Sequence, residues 1–375
     1  MKNLSNKVRE ASCIVIKIGS ALLINESTGR IKSHWVKSLC KDIALLKSSG
    51  KKIILVSSGS IAIGREILNL KFKSIKLEEK QAAAAVGQGQ LMHLWAHYLA
   101  QHQITAAQIL LAPEDTETRR RHLNARATIK TLLNLDVIPV VNENDTIATS
   151  EIKYGDNDRL ASRVAQIINA DNLVLFSDVD GLYTDNPKKN NKAKLIKEIK
   201  DIEQDLTGVN IKGINEYGSG GMKTKIEAAK ICQLSGSNMI IANGLKNHPI
   251  QHILNGDNYT LFVSKLSKLD ARKKWILSSI SPKGSVIIDD GANKALGNGK
   301  SLLAAGIKKV VGKFNKGDHI KVLNKRDKEI ARGLASFSSE EIKKILGKHS
   351  NEIEKILGYV SKSEVIHKDD MVEII

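Results

Sequence analysis

A chain of 375 residues is longer than one hydrophobic core usually supports, and its 42% hydrophobic and 26% charged residues exclude a disordered polymer. No apolar run of about 18 residues occurs, which excludes a membrane-spanning helix, and Met1 to Glu10 reads as too polar for a signal peptide. The net charge of +18 asks for an anionic ligand or partner without naming one.

Ser12 to Ile18 reads as a buried strand that breaks at Gly19 and Ser20. The helical spacing of Trp35, Val36, Leu39, Ile43 and Leu46 predicts a helix over 33–49, stopped by Gly50. Lys52 to Val56 predicts a second strand running out into Ser57, Ser58, Gly59 and Ser60, and 79–101 predicts an Ala-rich helix containing Gly87 and Gly89. Further strands are expected at Thr105 to Leu111, Val137 to Val141, Leu173 to Phe176 and Asn238 to Ala242. Continuous Ile, Val and Leu runs separated by helices imply an α/β domain, a mostly parallel sheet covered by helices on both faces. Ligands of such sheets bind beyond the carboxyl ends of the strands.

After Lys268 the rhythm changes. A short basic helix over 271–277 and a turn from Ser281 to Gly284 precede short strands at Ser285 to Asp289, Val310 to Val311, His319 to Leu323 and Glu329 to Gly333. These make a small β-rich module. The expected division is a first domain over 1–267, a linker over 268–282, a second domain over 283–361 and a tail over 362–375. From Lys268 onward 22 Lys and Arg face 14 Asp and Glu, about twice the basic excess per residue of the remainder. Cys13, Cys40 and Cys232 are too far apart for a metal pattern and read as small apolar residues in a reducing cytoplasm.

Five polar segments, most of them at strand ends, carry the chemistry. Lys17 to Ser20 offers an ammonium and backbone N–H groups to a phosphate. Val56 to Ser60 is a turn of small residues that lets a ligand approach the backbone. Val141 to Asp145, answered by Lys153 to Asp158, gathers amides and carboxylates suited to a small zwitterion. Phe176 to Tyr183 is a fourth polar strand end. Gly218 to Lys225 is a glycine-rich loop opening onto a helix, with lysines where phosphate is favoured, although it lacks the P-loop spacing. His93 and His97 have metal-ligand spacing on a helix but no third ligand, and Arg119 to His122 reads as a solvated helix face.

In order and spacing, Lys17 to Ser20, Ser58-Gly59, Asn142 to Asp145, Gly155 to Asp158, Ser177-Asp178, Asp180 to Tyr183, and Gly220 to Met222 with Lys225 resemble the glutamate 5-kinases of the amino-acid kinase superfamily. Asp290-Gly291, Gly306-Ile307 and Gly317-Asp318 are similar to the PUA module at the end of many of them. Lys223 and Ser177 depart from the residues common in relatives without removing a required group.

The resemblance implies the amino-acid kinase fold and transfer of the γ-phosphoryl group of ATP to the side-chain carboxylate of L-glutamate. The product would be L-glutamyl 5-phosphate, opening cytoplasmic proline biosynthesis under restraint by proline. It implies Lys17, Lys225 and Asp158 as catalytic groups, with Asp158 orienting the lysines, and Ser58, Asp145 and Asn157 as glutamate-binding. It assigns ATP to Lys17, Ser177, Asp178, Ser219, Gly220, Gly221, Met222, Lys223, Thr224 and Lys225. Magnesium (Mg2+) is expected to travel with the nucleotide, with no metal cage on the protein. A homo-oligomer, coupling to glutamyl phosphate reductase and RNA binding by the PUA module are expected only as additions, and no membrane is involved. A carboxylate acceptor is already ionised at neutral pH, so no general base is required. A sister kinase acting on N-acetylglutamate, aspartate or uridylate stays open at this point.

Overall fold

The computed structural model describes residues 2–25, 28–70, 76–147, 157–187, 189–207, 209, 221–267, 270, 282–359 and 363–374. They fall into two compact units, Met1–Leu266 and Ser267–Ile375.

The first unit opens with α1 (Lys2–Glu10), β1 (Cys13–Ile18), α2 (Ser20–Leu23), α3 (Ser33–Ser48), β2 (Lys52–Ser57), α4 (Ser60–Ile67) and α5 (Leu77–Ala100). It continues through β3 (Ala106–Leu111), α6 (Pro113–Glu117), α7 (Arg119–Asn134), β4 (Ile138–Glu143), α8 (Asn157–Ile168) and β5 (Asn172–Ser177). Then follow β6 (Glu198–Ile199), α9 (Ile202–Asp205), α10 (Met222–Leu234), β7 (Asn238–Asn243), α11 (Pro249–Asn255) and β8 (Tyr259–Phe262). The strands form one sheet in the order β3-β4-β2-β1-β5-β7-β8-β6. Every pairing is parallel except β7 with β8, which run antiparallel.

Alternation along the strands divides the core in two. Ile14, Ile16 and Ile18 of β1 join Ile53, Leu55 and Val140 in a layer with Trp35 and Leu39 of α3 and Leu91, Trp95 and Leu99 of α5. Val15 faces the opposite layer with Ile54, Val56, Val141 and Leu175, against Leu160 and Val164 of α8 and Ile226 and Ala229 of α10. A helix-covered sheet with both faces buried explains why its strands read as unbroken apolar runs. Burial pushes the Cys40 thiol up to about 12 and Cys232 higher still, so both act as apolar core residues.

The second unit has its own core, including Val286, Ile288, Phe314, Ile320, Val322 and Phe337. Its main sheet runs β11-β9-β12-β13-β15, where β9 is Gly284–Ile288, β11 Ile307–Gly312, β12 His319–Leu323, β13 Glu329–Leu334 and β15 Met371–Glu373. β10 (Leu302–Leu303) pairs separately with β14 (Glu364–Ile366). The expected tail is therefore no mere appendage over its described residues, 363–374: Val365, Ile366 and Met371 lie in the core, and β15 completes the sheet against β13. Three short helices, Asp290–Gly297, Ser339–Lys344 and Ser350–Leu357, also belong here and were not expected. The first two start at side-chain caps, Asp289 on the Ala292 N–H and Ser338 on the Glu341 N–H. Most of the expected linker, including its basic helix, lies outside the described residues.

Within the first unit, α4 and α5 cross backbone to backbone. A Cβ on Gly64 would lie 1.8 Å from the Ala83 carbonyl oxygen. Gly64→Ala is expected to cost about 2–3 kcal/mol by forcing the helices apart. Urea unfolding measures it, and a loss below about 0.5 kcal/mol would show that this crossing is not fixed.

Candidate active site

Strand parity decides which groups meet beyond the strand ends. Lys17 shares with Val15 the face of β1 covered by α8 and α10. Asp158, in the first turn of α8, is fully buried and its carboxylate lies between two ammoniums. Lys17 Nζ is 2.6 Å from Asp158 Oδ1, and Lys225 Nζ, from the first turn of α10, is 2.8 Å from Oδ2. The Thr224 hydroxyl also donates to Asp158 Oδ2 at 3.3 Å.

Burial by itself raises the Asp158 carboxyl, but the charges and hydrogen bonds of Lys17 and Lys225 outweigh it and hold the group below its ordinary value. The aspartate is thus a fixed anion. Among the described residues one carboxylate meets two lysine ammoniums here, an arrangement that suits an anionic phosphate. The three groups that the resemblance marks as catalytic are one contiguous ion cluster.

Asn157, one residue earlier, belongs to a second constellation. Its Nδ2 donates to Ser58 Oγ at 2.7 Å and to Asn142 Oδ1 at 3.0 Å. Asn142 Nδ2 donates to Ser60 Oγ at 3.2 Å and to Gln88 Oε1 at 2.8 Å. The Ser60 hydroxyl reaches Asp145 Oδ2 at 3.5 Å. Ser58, Asp145 and Asn157 are therefore brought together at the ends of β2 and β4 and the start of α8. Gly59 allows the turn between β2 and α4 through a φ of 117°, open to glycine and strained for other residues.

The residues assigned to the nucleotide are placed less uniformly. Ser177 ends β5 and its hydroxyl donates to Asp178 Oδ1 at 3.2 Å, with Asp178 exposed. Gly221 precedes α10, Thr224 and Lys225 turn toward Asp158, and Lys223 is exposed. The Met222 side chain packs into the hydrophobic layer under α8 and α10. Ser219 and Gly220 lie outside the described residues, as do Gly155 and Asp156. Asp180 is held by Asn243 Nδ2 at 3.0 Å and by the Tyr183 hydroxyl at 3.3 Å. Burial, and then the Asp180 charge, raise the Tyr183 hydroxyl and keep it a donor.

Gln88 and Asn243 carry no assignment from the sequence, and Ser60 figures there only as part of the turn from Val56 to Ser60. A signal for Gln88 existed: it is the polar member of the buried stripe Ala84, Gln88, Leu91, Trp95 and Leu99 on α5. Trp95 of the same stripe donates from its indole to Ser57 Oγ at 2.9 Å, tying α5 to the end of β2.

The family model for the amino acid kinase family matches residues 12–243, and that for the PUA domain matches residues 284–357. The glutamate 5-kinase of Pelagibacter ubique (strain HTCC1062) is 61% identical over 367 residues, covering 98% of this chain and 100% of that protein. That of Paramagnetospirillum magneticum is 48% identical over 96% of this chain and 98% of its own. That of Agrobacterium fabrum is 50% identical over 96% of this chain and 92% of its own. Near-complete coverage at such identity, over a sheet whose strand ends hold the ion cluster and the amide network, leaves one conclusion: the chain belongs to the glutamate 5-kinases of the amino acid kinase family.

Proposed function

We infer that the chain transfers the γ-phosphoryl group of ATP to the γ-carboxylate of L-glutamate, giving L-glutamyl 5-phosphate and ADP, the opening step of proline biosynthesis. The observation that carries this reading is the Lys17–Asp158–Lys225 cluster set one residue from an amide network. Phosphoryl transfer to a carboxylate demands that two anions be brought into line and that the charge on the moving group be neutralised. Lys17, anchored in β1, serves the β- and γ-phosphates, and Lys225 serves the phosphoryl group in transit. Asp158 holds both ammoniums in place before the nucleotide arrives.

Asp145 offers a carboxylate and Asn157, whose two N–H groups are committed to Ser58 and Asn142, offers its amide oxygen to the α-ammonium group of glutamate, while the Ser58 hydroxyl offers a donor to a carboxylate. Ser177, Asp178 and the segment from Ser219 to Lys225 are the nucleotide side. Among the described residues the cluster sets two ammoniums against one carboxylate, which suits an anionic magnesium–nucleotide complex. Magnesium arriving with the nucleotide would supply further charge neutralisation.

Release of ADP should depend on L-glutamate, and hydroxylamine should trap the acyl phosphate as the hydroxamate. Lys17→Ala and Lys225→Ala should each lower turnover by about 10²–10³. A folded variant keeping more than about a tenth of wild-type turnover would remove that lysine from the chemistry.

The stability linked to Asp158 has a definite sign. Its folded pKa is depressed, so its contribution is full above the ordinary aspartate value of about 3.9 and is lost as pH falls through the lower folded value. Asp158→Asn removes the carboxylate that Lys17 and Lys225 share and should cost about 3 kcal/mol at pH 7. In urea titrations the gap to wild type should stay level down to about pH 5 and close below about pH 4. A gap independent of pH would refute the ion-cluster account.

Proline carries the α-carboxylate and charged α-nitrogen of glutamate, the groups that Asp145, Asn157 and Ser58 suit. Proline should therefore inhibit by occupying an overlapping site, each ligand weakening the other. Inhibition should fade as glutamate is raised, and insensitivity to glutamate would count against a shared pocket.

A further inference from the structure

Gln88 is a polar side chain, only 8% exposed, on the apolar stripe of α5. A buried amide is costly unless it is hydrogen-bonded, so its presence there needs a reason. Its Oε1 accepts from Asn142 Nδ2 at 2.8 Å, and the same Nδ2 donates to Ser60 Oγ at 3.2 Å. With both its N–H groups committed in that direction, the Asn142 amide can present only its oxygen to Asn157. Asn157 Nδ2 donates to that oxygen at 3.0 Å and to Ser58 Oγ at 2.7 Å. Gln88 thereby fixes a sense of donation that runs through Asn142 to three residues of the amino-acid pocket.

The helix crossing explains how Gln88 gets there. A Cβ on Gly87 would fall 1.8 Å from the Ser60 carbonyl oxygen and 2.6 Å from the Gly64 nitrogen. The backbones of α4 and α5 therefore touch at the residue preceding Gln88, against the turn that carries Ser58 and Ser60. The sequence pairs a glycine that permits the contact with a glutamine that exploits it.

We propose that Gln88 is a positioning residue for the amino-acid substrate: it sets the orientation of the Asn142 amide and, through it, of Asn157. This rests on the glutamate-pocket reading of Ser58, Asp145 and Asn157. Gln88 touches the phosphoryl cluster at no point among the described hydrogen bonds, so its effect falls on the acceptor and not on ATP.

Gln88→Met keeps length and burial but removes the acceptor. It should raise the KM for glutamate about five- to tenfold, the ratio for one lost hydrogen bond of ordinary strength, with the KM for ATP within about twofold and the urea midpoint near wild type. Asn142→Ala should raise the glutamate KM as well, and the double variant should be no worse than Asn142→Ala alone, because Gln88 acts through Asn142. If Gln88→Met does not fold, Gln88→Asn, which draws the amide back by one methylene, should give the same pattern. An unchanged glutamate KM, equal rises for glutamate and ATP, or effects that multiply fully in the double variant would overturn the proposal. Wild-type turnover of L-glutamate tests the substrate reading by itself. The Gln88 cycle is run with the amino-acid acceptor that the wild type phosphorylates, so the two ideas fail separately.

Discussion

The first unit depends on one buried anion. Asp158 lies wholly out of water, where a lone carboxylate would be neutralised rather than tolerated. It remains charged because Lys17 and Lys225 approach its two oxygens from different elements, one from a strand and one from a helix. Desolvation charges a penalty for each ion, so the arrangement survives only with close geometry on both sides. That requirement ties β1, α8 and α10 together at one point. It also places two cations at the strand ends in a fixed relation before any substrate is present, which is what electrostatic preorganisation requires.

The rest of the site follows from where that anion sits. Asn157 and Asp158 are adjacent at the start of α8, yet they serve different chemistries. Asp158 joins Lys17, whose strand parity turns it to the layer of α8 and α10. Asn157 joins Asn142, which lies one residue beyond Val141 of that layer and so turns to the opposite one, where α5 supplies Gln88. A helix start at the end of a parallel sheet thus carries an ion cluster on one side and an amide network on the other. The separation matters, because the amino acid and the nucleotide must be recognised by different groups and still meet within bonding distance.

Much of this was legible in the sequence, for physical reasons. Strands buried on both faces announce themselves as continuous apolar runs, and six of the eight strands of the first sheet were placed to within about two residues, whereas the short β6 and β8 were not expected. Clusters of polar residues at or near the ends of such runs draw attention to the segments around Lys17, Ser58, Asp145 and Asp158, and the family resemblance then singles out those residues. What could not be read is whatever depends on two distant segments touching. Gly64 and Gly87 look like weak points in helices until the crossing of α4 with α5 shows that each replaces a clash. Gln88 looks like one polar residue in an Ala-rich helix until that crossing brings it to Asn142. The strands at Glu364–Ile366 and Met371–Glu373 were missed because three-residue strands carry too short a pattern to declare their period.

The state of Asp158 also bears on the kind of acceptor the site can use. A hydroxyl acceptor has to lose a proton during transfer, and a nearby group must take it. Asp158 is poorly suited to that role, because its pKa is held down and both its oxygens are committed to lysines. Lys17 and Lys225 are there to supply positive charge, which deprotonation would destroy. Asn142, Asn157, Gln88, Ser58 and Ser60 are neutral donors and acceptors with no proton affinity near neutral pH. Asp145 is a further carboxylate among the described residues, and in the glutamate reading it is occupied by the α-ammonium group. Charges and amides placed in this way suit an acceptor that arrives already ionised. The side-chain carboxylate of an amino acid is such an acceptor, and the physical economy of the site then lies in bringing two anions together rather than in moving a proton.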